Sequence, residues 1–246
     1  MSRYCYDLHM HSCLSPCADD DMTPANMAGM ATLNGLQLVA LTDHNSCGNC
    51  AAFLQACKSY GIVGVPGMEL TTSEEVHMVC LFAELETALT FQEYVRANRR
   101  PIKNKPEIFG NQLYVDAEDN VLGEEPSLLI PAGFLSIEQA YQKVTELGGA
   151  CYPAHIDRPS NGLLGILGSF PPSPFFPTVE LNSAENREAY VRDYALSDRL
   201  IITSSDAHHL WDIQMAGPSL ELDDEPYSSA RVRQALIDLL RGGIKA

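Results

Sequence analysis

Basic residues are scarce in this 246-residue chain: 16 lysines and arginines face 32 aspartates and glutamates, a formal net charge of −16. That balance argues against broad, sequence-independent affinity for duplex nucleic acid or anionic membrane, whose phosphates would repel it. It leaves room for a small phosphate ester held in a local site, and carboxylates gathered to hold cations would themselves add to the charge. No run of about 18 apolar residues occurs, which excludes a transmembrane helix. The first residues lack a signal peptide's basic start and apolar stretch. The chain is therefore expected in the cytoplasm, where its eight cysteines would be reduced thiols rather than a disulfide framework. Internal repeats and low-complexity tracts are missing too.

What is present reads as one globular domain over residues 1–246, with 46% hydrophobic and 20% charged residues, of the α/β or barrel type. Short apolar strands alternate with helical stretches. Residues 4–8 alternate as a strand. A helix opens at Thr23-Pro24, with Thr23 as cap, Met27, Met30, Ala31 and Leu33 as apolar face, and Gly35 as its end. "LQLVALTDHN" is a buried strand finishing in Asp43 and His44. A helix near 49–60 stops at Gly61, "IVGVPGMEL" finishes at Glu69, and "VHMVCLF" carries His77 at its start. After a helix over 136–147, a strand over 149–157 ends in His155. "PTVELN", "LIITSSDAHH" and a helix over 226–241 close the chain. Residues 95–135 break the rhythm: "RANRRPIKNKPE" is basic and proline-broken, and "QLYVDAEDNVLGEE" reads as a hairpin turning at Asp119-Asn120. This stretch is expected to be an insertion, or a lid over a barrel mouth.

Groups that bind metal or carry protons collect at these strand ends: His9, His11, Asp43, His44, Glu69, His77, His155, Asp206 and His208. Alternation puts Asp7, His9 and His11 on one face of the first strand. In a barrel of parallel strands and helices the carboxyl ends of the strands converge on one mouth. His9 and His11 therefore read as two ligands of one ion. Imidazole with carboxylate, and no obligatory thiolate, suits zinc, manganese or iron.

"DLHMHS", "LTDHN", "PGMEL", "PAHID" and "SSDAHH", in that order, resemble the PHP family, named for its polymerase-associated and histidinol-phosphatase members. The resemblance covers nearly the whole chain. It implies a distorted (β/α)7 barrel with two or three divalent ions at the C-terminal ends of the strands, hydrolysing phosphoesters through a metal-activated hydroxide. Carried over by motif, it implies that His9, His11, Glu69 and Asp206 hold a first ion. Glu69 would bridge to a second ion held by His77 and His155. His44 and His208 would hold a third, with an acid from the loop after His11. That loop, "SCLSPCADDDMTP", is longer than the family's usual turn, so Asp19, Asp20 and Asp21 compete for the role; counting back from Thr23-Pro24 favours Asp19.

Asp7 and Asp43 sit beside ligand histidines and read as partners that orient imidazoles rather than as ligands. Arg158, in "HIDRPSNG", is the candidate fork for a phosphate, and with Glu69 and Asp206 completes the expected catalytic set. Arg96, Arg99, Arg100, Lys103 and Lys105 read as a solvated helix end, with contact to a second phosphate or a nucleotide tail as the other option. Cys13, Cys17, Cys47 and Cys50 lie in two loops near the mouth, so a structural zinc or iron–sulfur site is a rival reading. His209, by alternation, faces away. The expected substrate is a small phosphomonoester, a nucleotide or a short oligonucleotide end, with neither duplex nucleic acid nor membrane as partner. Hydrolysis of another ester or an amide, or a non-catalytic metal or redox module, are the alternatives.

Overall fold

The computed structural model describes residues 1–242. In chain order its elements are β1 (Ser2–Asp7), α1 (Pro24–Leu33), β2 (Leu38–Leu41), α2 (Cys50–Ser59), β3 (Val63–Thr71), β4 (His77–Leu81) and α3 (Leu85–Ala97). Then come α4 (Pro106–Phe109), β5 (Leu113–Val115), β6 (Val121–Glu124), α5 (Ile137–Glu146), β7 (Ala150–Pro153) and α6 (Leu163–Leu167). The chain finishes with β8 (Thr178–Leu181), α7 (Arg187–Asp193), β9 (Leu200–Thr203), β10 (Ser219–Leu222) and α8 (Ser229–Leu240).

Six strands form one sheet in the order β10-β1-β2-β3-β4-β7, and β8 with β9 forms a separate parallel pair. Alternate residues of these strands, Tyr6, Leu8, Leu38, Ala40, Val63, Val65, Val79, Leu81, Tyr152 and Ile202, converge with Val232, Leu236, Ile237 and Leu240 of α8 in one buried cluster. Only a curled sheet can bring those strands onto a single helix. The opposite face, with Val39, Leu41, Met68, Cys80, Val179 and Leu181, packs on apolar residues of α1, α2, α3 and α5.

The curl is not a ring of seven repeated β/α units. β1, β2 and β3 run parallel, but β4 is antiparallel to both β3 and β7, and β10 is antiparallel to β1. Backbone links between the pair β8–β9 and the sheet are sparse: the Ile156 N–H to the Glu180 carbonyl at 2.9 Å, and a bridge from Met10 to Ala207. The reversal of β4 follows from its connection, since the short turn 72–76 can join only antiparallel neighbours.

Local signals explain several boundaries. Gly35 and Gly61 take left-handed backbone, φ 78° and 73°, and end α1 and α2 where the sequence puts them. Ser136 and Gln139 form a reciprocal capping box on α5. Thr23 does not cap α1 with its own side chain. Its hydroxyl donates to Asp119 at 2.6 Å, and the other Asp119 oxygen accepts the Ala25 N–H at 3.1 Å. The cap thus comes from the hairpin turn, not from the helix's own sequence. Leu33 is exposed, and Pro24 and Ala28 are buried in its stead. The hairpin β5–β6 docks on the loops after β1 and β2, through Leu113 N–H to the Cys13 carbonyl at 2.8 Å and Val115 N–H to Asn49 Oδ1 at 3.2 Å. Gly110, φ 99°, lies so close to the Pro16 carbonyl that any Cβ would collide with it.

Candidate metal centre

The end of the sheet where β1, β2 and β3 finish is also where antiparallel β4 begins. That is why His77, at the start of its strand, meets Glu69 at the end of its own. His155 and Asp206 lie beyond β7 and β9, in tight turns with φ of 27° and 51°. Left-handed backbone at a non-glycine residue costs on the order of 1–2 kcal/mol, and here it turns both side chains into the cluster.

Glu69, almost fully buried, is the hub. Its Oε1 lies 2.8 Å from His77 Nδ1, 3.1 Å from His155 Nε2 and 3.2 Å from His9 Nε2. Its Oε2 lies 3.0 Å from His44 Nδ1 and 3.4 Å from His11 Nε2. Asp206 Oδ1 faces His9 Nε2 at 3.3 Å and His11 Nε2 at 3.1 Å. Three groups have donor atoms close enough to share an ion: His9, His11, Glu69 and Asp206; His44, Glu69 and His77; and His11, His44 and His208. A cavity of about 110 Å³ opens onto His44, Glu69, His77, Asp206 and His208, lined also by His155, Arg158, Ser160 and Asn161.

The hydrogen bonds fix which ring nitrogens are free. His9 Nδ1 lies 2.9 Å from Glu180 Oε1, and a carboxylate only accepts, so Nδ1 carries a hydrogen and Nε2 is the nitrogen left for a metal ion or a second proton. Ser15 donates its single hydroxyl hydrogen to Asp43 at 2.7 Å, so it accepts from His11 Nδ1 at 3.0 Å, and His11 Nε2 is left for a cation in the same way. These two nitrogens stand 3.3 Å apart, both aimed at carboxylates. Such an arrangement is repulsive unless a cation, metal ion or proton, sits within it. His208 Nδ1 donates to the Asp206 carbonyl at 2.7 Å, which leaves its Nε2 free too.

The protonation energetics agree. Burial pushes His9 and His11 down, but Glu180, Asp206 and Glu69 hold His9 well above its ordinary value, and Asp206 and Glu69 hold His11 at about 9. Burial and His11 press His44 down, while Cys17 and Glu69 carry it to about 9. Burial would raise Glu69, yet His77 and His9 hold it well below the carboxylate range. Burial and the neighbouring His11 push His208 down to about 3, and burial also lowers His77.

The structure thus gathers His9, His11, His44, Glu69, His77, His155, Asp206 and His208. Arg158 lies at the rim, its Nη1 donating to Asp206 at 2.6 Å and its Nε and Nη2 to Asn182. Asp19 is not drawn in: its carboxylate sits on His209 Nδ1 at 2.9 Å, and the side chain of that loop in contact with His44 is Cys17. Asp20 bonds Asn111 instead. Asp7 touches no imidazole; it accepts the Ser205 and Gln214 backbone N–H groups and ties β1 to the last loop. Asp43 reaches His11 only through Ser15. Glu180 is the carboxylate that orients His9, and it was hidden inside "PTVELN"; the available signal was a lone acid in a strand otherwise buried and apolar. Of the basic cluster, Arg96 and Arg99 pair with Glu93 and Glu125, and Arg100 lies over the Phe134 ring. Cys47 and Cys50 both point to the Gly67 carbonyl and Cys13 to that of Leu113, so those thiols do not form a site. No helix among the described residues is long and apolar enough to cross a membrane.

Residues 7–120 match the family model of the PHP domain. No curated protein matches the chain. Among solved structures the chain is similar to the lesion-specific endonuclease Q of Pyrococcus furiosus, with 17% identity, a TM-score of 0.65, and 99% of this chain and 57% of that one covered. It is similar to a candidate metal-dependent phosphoesterase from Bifidobacterium adolescentis, with 20% identity, a TM-score of 0.55, and 87% and 89% of the two chains covered. A third structure is endonuclease Q in complex with a 27-mer duplex substrate carrying an abasic lesion at the active site, with 18% identity, a TM-score of 0.61, and 96% and 56% covered. This chain therefore spans a little over half the length of endonuclease Q. The likeness establishes a shared fold.

It also overturns one expectation. Exclusion of duplex nucleic acid on the ground of net charge does not stand, because a protein of this fold is seen with a duplex at its active site. Net charge sums the whole surface, whereas a phosphate meets the local field, and bound cations can reverse that field where it matters.

Proposed function

We propose, from the match of residues 7–120 to the PHP domain and the geometry of the cluster, that this chain is a metal-dependent phosphoesterase that hydrolyses a small phosphomonoester or the phosphate of a nucleotide or oligonucleotide end. The observation that carries the reading is the pair of His9 and His11 Nε2 atoms, 3.3 Å apart and facing Glu69 and Asp206, with both Nδ1 atoms already engaged. A nitrogen and carboxylate set of that kind fits zinc, manganese or iron. His9, His11, Glu69 and Asp206 would hold one ion, Glu69 with His77 and His155 a second, and His44 with His208 a third. Divalent ions there would supply Lewis acidity to a phosphoryl oxygen and lower the pKa of water.

The chain's own groups have definable tasks. Glu180 and the Ser15–Asp43 pair keep the Nδ1 hydrogens of His9 and His11 in place, so that their Nε2 lone pairs point inward. His208, pushed down to about 3, is a lone-pair donor at neutral pH and not a proton source. Arg158 presents its guanidinium to the same cavity as the histidines. It can exchange part of its contact with Asp206 for a phosphate oxygen. The small cavity has room for a phosphoryl group.

Purified protein assayed against phosphomonoesters, phosphodiesters, amides and lactones, with zinc, manganese or iron, tests the proposal. Phosphoester turnover abolished by EDTA and restored by added manganese or zinc is expected. Glu69→Gln should lose both that turnover and at least one equivalent of metal while staying folded. Turnover indifferent to chelation after long dialysis, or turnover of amides or lactones alone, would sink it.

A further inference from the structure

The cavity at the cluster is too small for a whole substrate. Its volume of about 110 Å³ is well below the roughly 300 Å³ at which pockets begin to enclose small molecules. A phosphoester seated there leaves the rest of itself on the rim. Directly after His208, which lines that cavity, the chain carries an exposed aromatic pair. Trp211, the chain's only tryptophan, is 74% exposed. Its ring lies parallel to that of His209, with an interplanar angle of 4° and centroids 4.8 Å apart.

The stack is anchored to the cluster on both sides. His209 follows His208, one of the cluster's histidines, directly in sequence. Its Nδ1 is held by Asp19 at 2.9 Å, and the Asp19 N–H donates to the His208 carbonyl at 2.9 Å. A short 3-10 turn, Leu210–Asp212, carries Trp211, with the Asp212 N–H on the His209 carbonyl at 3.0 Å. Three residues of chain place the Trp211 Cα no more than about 11 Å from the His208 Cα. One face of the indole is covered by a fixed imidazole and the other is open. Burying that open face needs a flat partner.

The geometry points to Trp211 as a stacking platform for an aromatic ring, above all a nucleobase, carried by the phosphoester whose phosphate enters the cavity. The inference rests on the phosphoesterase reading for the position of the phosphate. His209 supports the platform from below, and Asp19 acts by fixing His209. Stacking of a base on an aromatic side chain contributes about 1–3 kcal/mol, enough to sort nucleotides from sugar phosphates of the same charge.

Because Trp211 is the only tryptophan, its fluorescence reports the platform without turnover. Titration of the metal-loaded protein with adenosine 5′-monophosphate should quench it saturably, and ribose 5-phosphate at the same concentrations should not. In kinetics, Trp211→Ala should lower the ratio of kcat/KM for adenosine monophosphate over ribose 5-phosphate about tenfold, which corresponds to 1.4 kcal/mol. Trp211→Phe should restore most of that ratio. Equal quenching by both compounds, quenching by neither, or an unchanged ratio in Trp211→Ala would overturn the inference. Failure to hydrolyse any phosphoester would count against the phosphoesterase reading, while the quenching experiment would still decide the platform.

Discussion

Glu180 shows how a single side chain can govern a cluster it does not enter. Its Oε1 accepts from His9 Nδ1 and also from the His155 N–H at 3.1 Å, so one carboxylate orients two of the cluster's histidines. Glu180→Ala should let His9 rotate and take either tautomer. Metal affinity is then expected to fall about 10–100-fold, the usual cost of losing such a partner, measured by competition with a chromophoric chelator. Ser15→Ala should act in the same direction on His11. Asp19→Ala, by contrast, should leave the metal content at its wild-type value, since that carboxylate faces His209; loss of one equivalent would return Asp19 to the cluster. The histidines were legible in the sequence because five separate segments each deliver His, Asp or Glu to a strand end. Glu180 and Ser15 were not, because their roles depend on which chains lie beside them. Glu180 crosses 171 residues of sequence to reach His9, and no local pattern carries that information.

At the level of elements, the strands that end in chemistry were readable and their directions were not. "VHMVCLF" looks the same whether its strand runs with or against its neighbours, and only the short 72–76 turn betrays the reversal. His155 and Asp206 were placed within strands by apolar alternation, yet β7 and β9 stop at Pro153 and Thr203, and left-handed turns do the aiming. β10 and α3 have no comparable signal in the sequence, because neither ends in a group that bears chemistry. The hairpin was recognised from Asp119-Asn120, but not its second use as the cap of α1. Asp119→Ala should therefore cost about 1 kcal/mol, as removal of an N-cap does, although Asp119 belongs to another element. Thr23→Ala in the Asp119→Ala background should add little, because the hydroxyl's partner is already gone. Urea unfolding of the two single variants and the double variant measures this, and fully additive losses would show that Thr23 and Asp119 act independently.

For the whole molecule, charge matters where it is concentrated rather than as a sum. Without a divalent ion, protons balance the carboxylates of Glu69 and Asp206: His9 is held well above its ordinary value, and His11 and His44 at about 9. In an unfolded chain each would titrate near 6.5. Between about pH 6.5 and 9 the folded, metal-free protein thus binds more protons than the unfolded chain. The stabilisation is complete below the unfolded value and is lost as pH rises through the folded one. Asp7, pushed up to about 6 by burial, weakens the fold once it is ionised above that pH, a penalty relieved at lower pH and nearly constant across this window. Metal loading runs the opposite way. A divalent ion must displace those protons, so its affinity should climb as pH approaches 9. EDTA-treated protein is expected to lose roughly 5–10 °C of Tm between pH 6.5 and 9, about 2–3 kcal/mol for a chain of this size, and manganese-loaded protein should lose much less. Calorimetric titration of manganese at pH 7, in two buffers of different ionisation heat, should reveal release of at least one proton. A flat Tm profile together with equal heats in both buffers would mean that the imidazoles are already neutral in the free protein, and that the buried carboxylates take their balance from elsewhere.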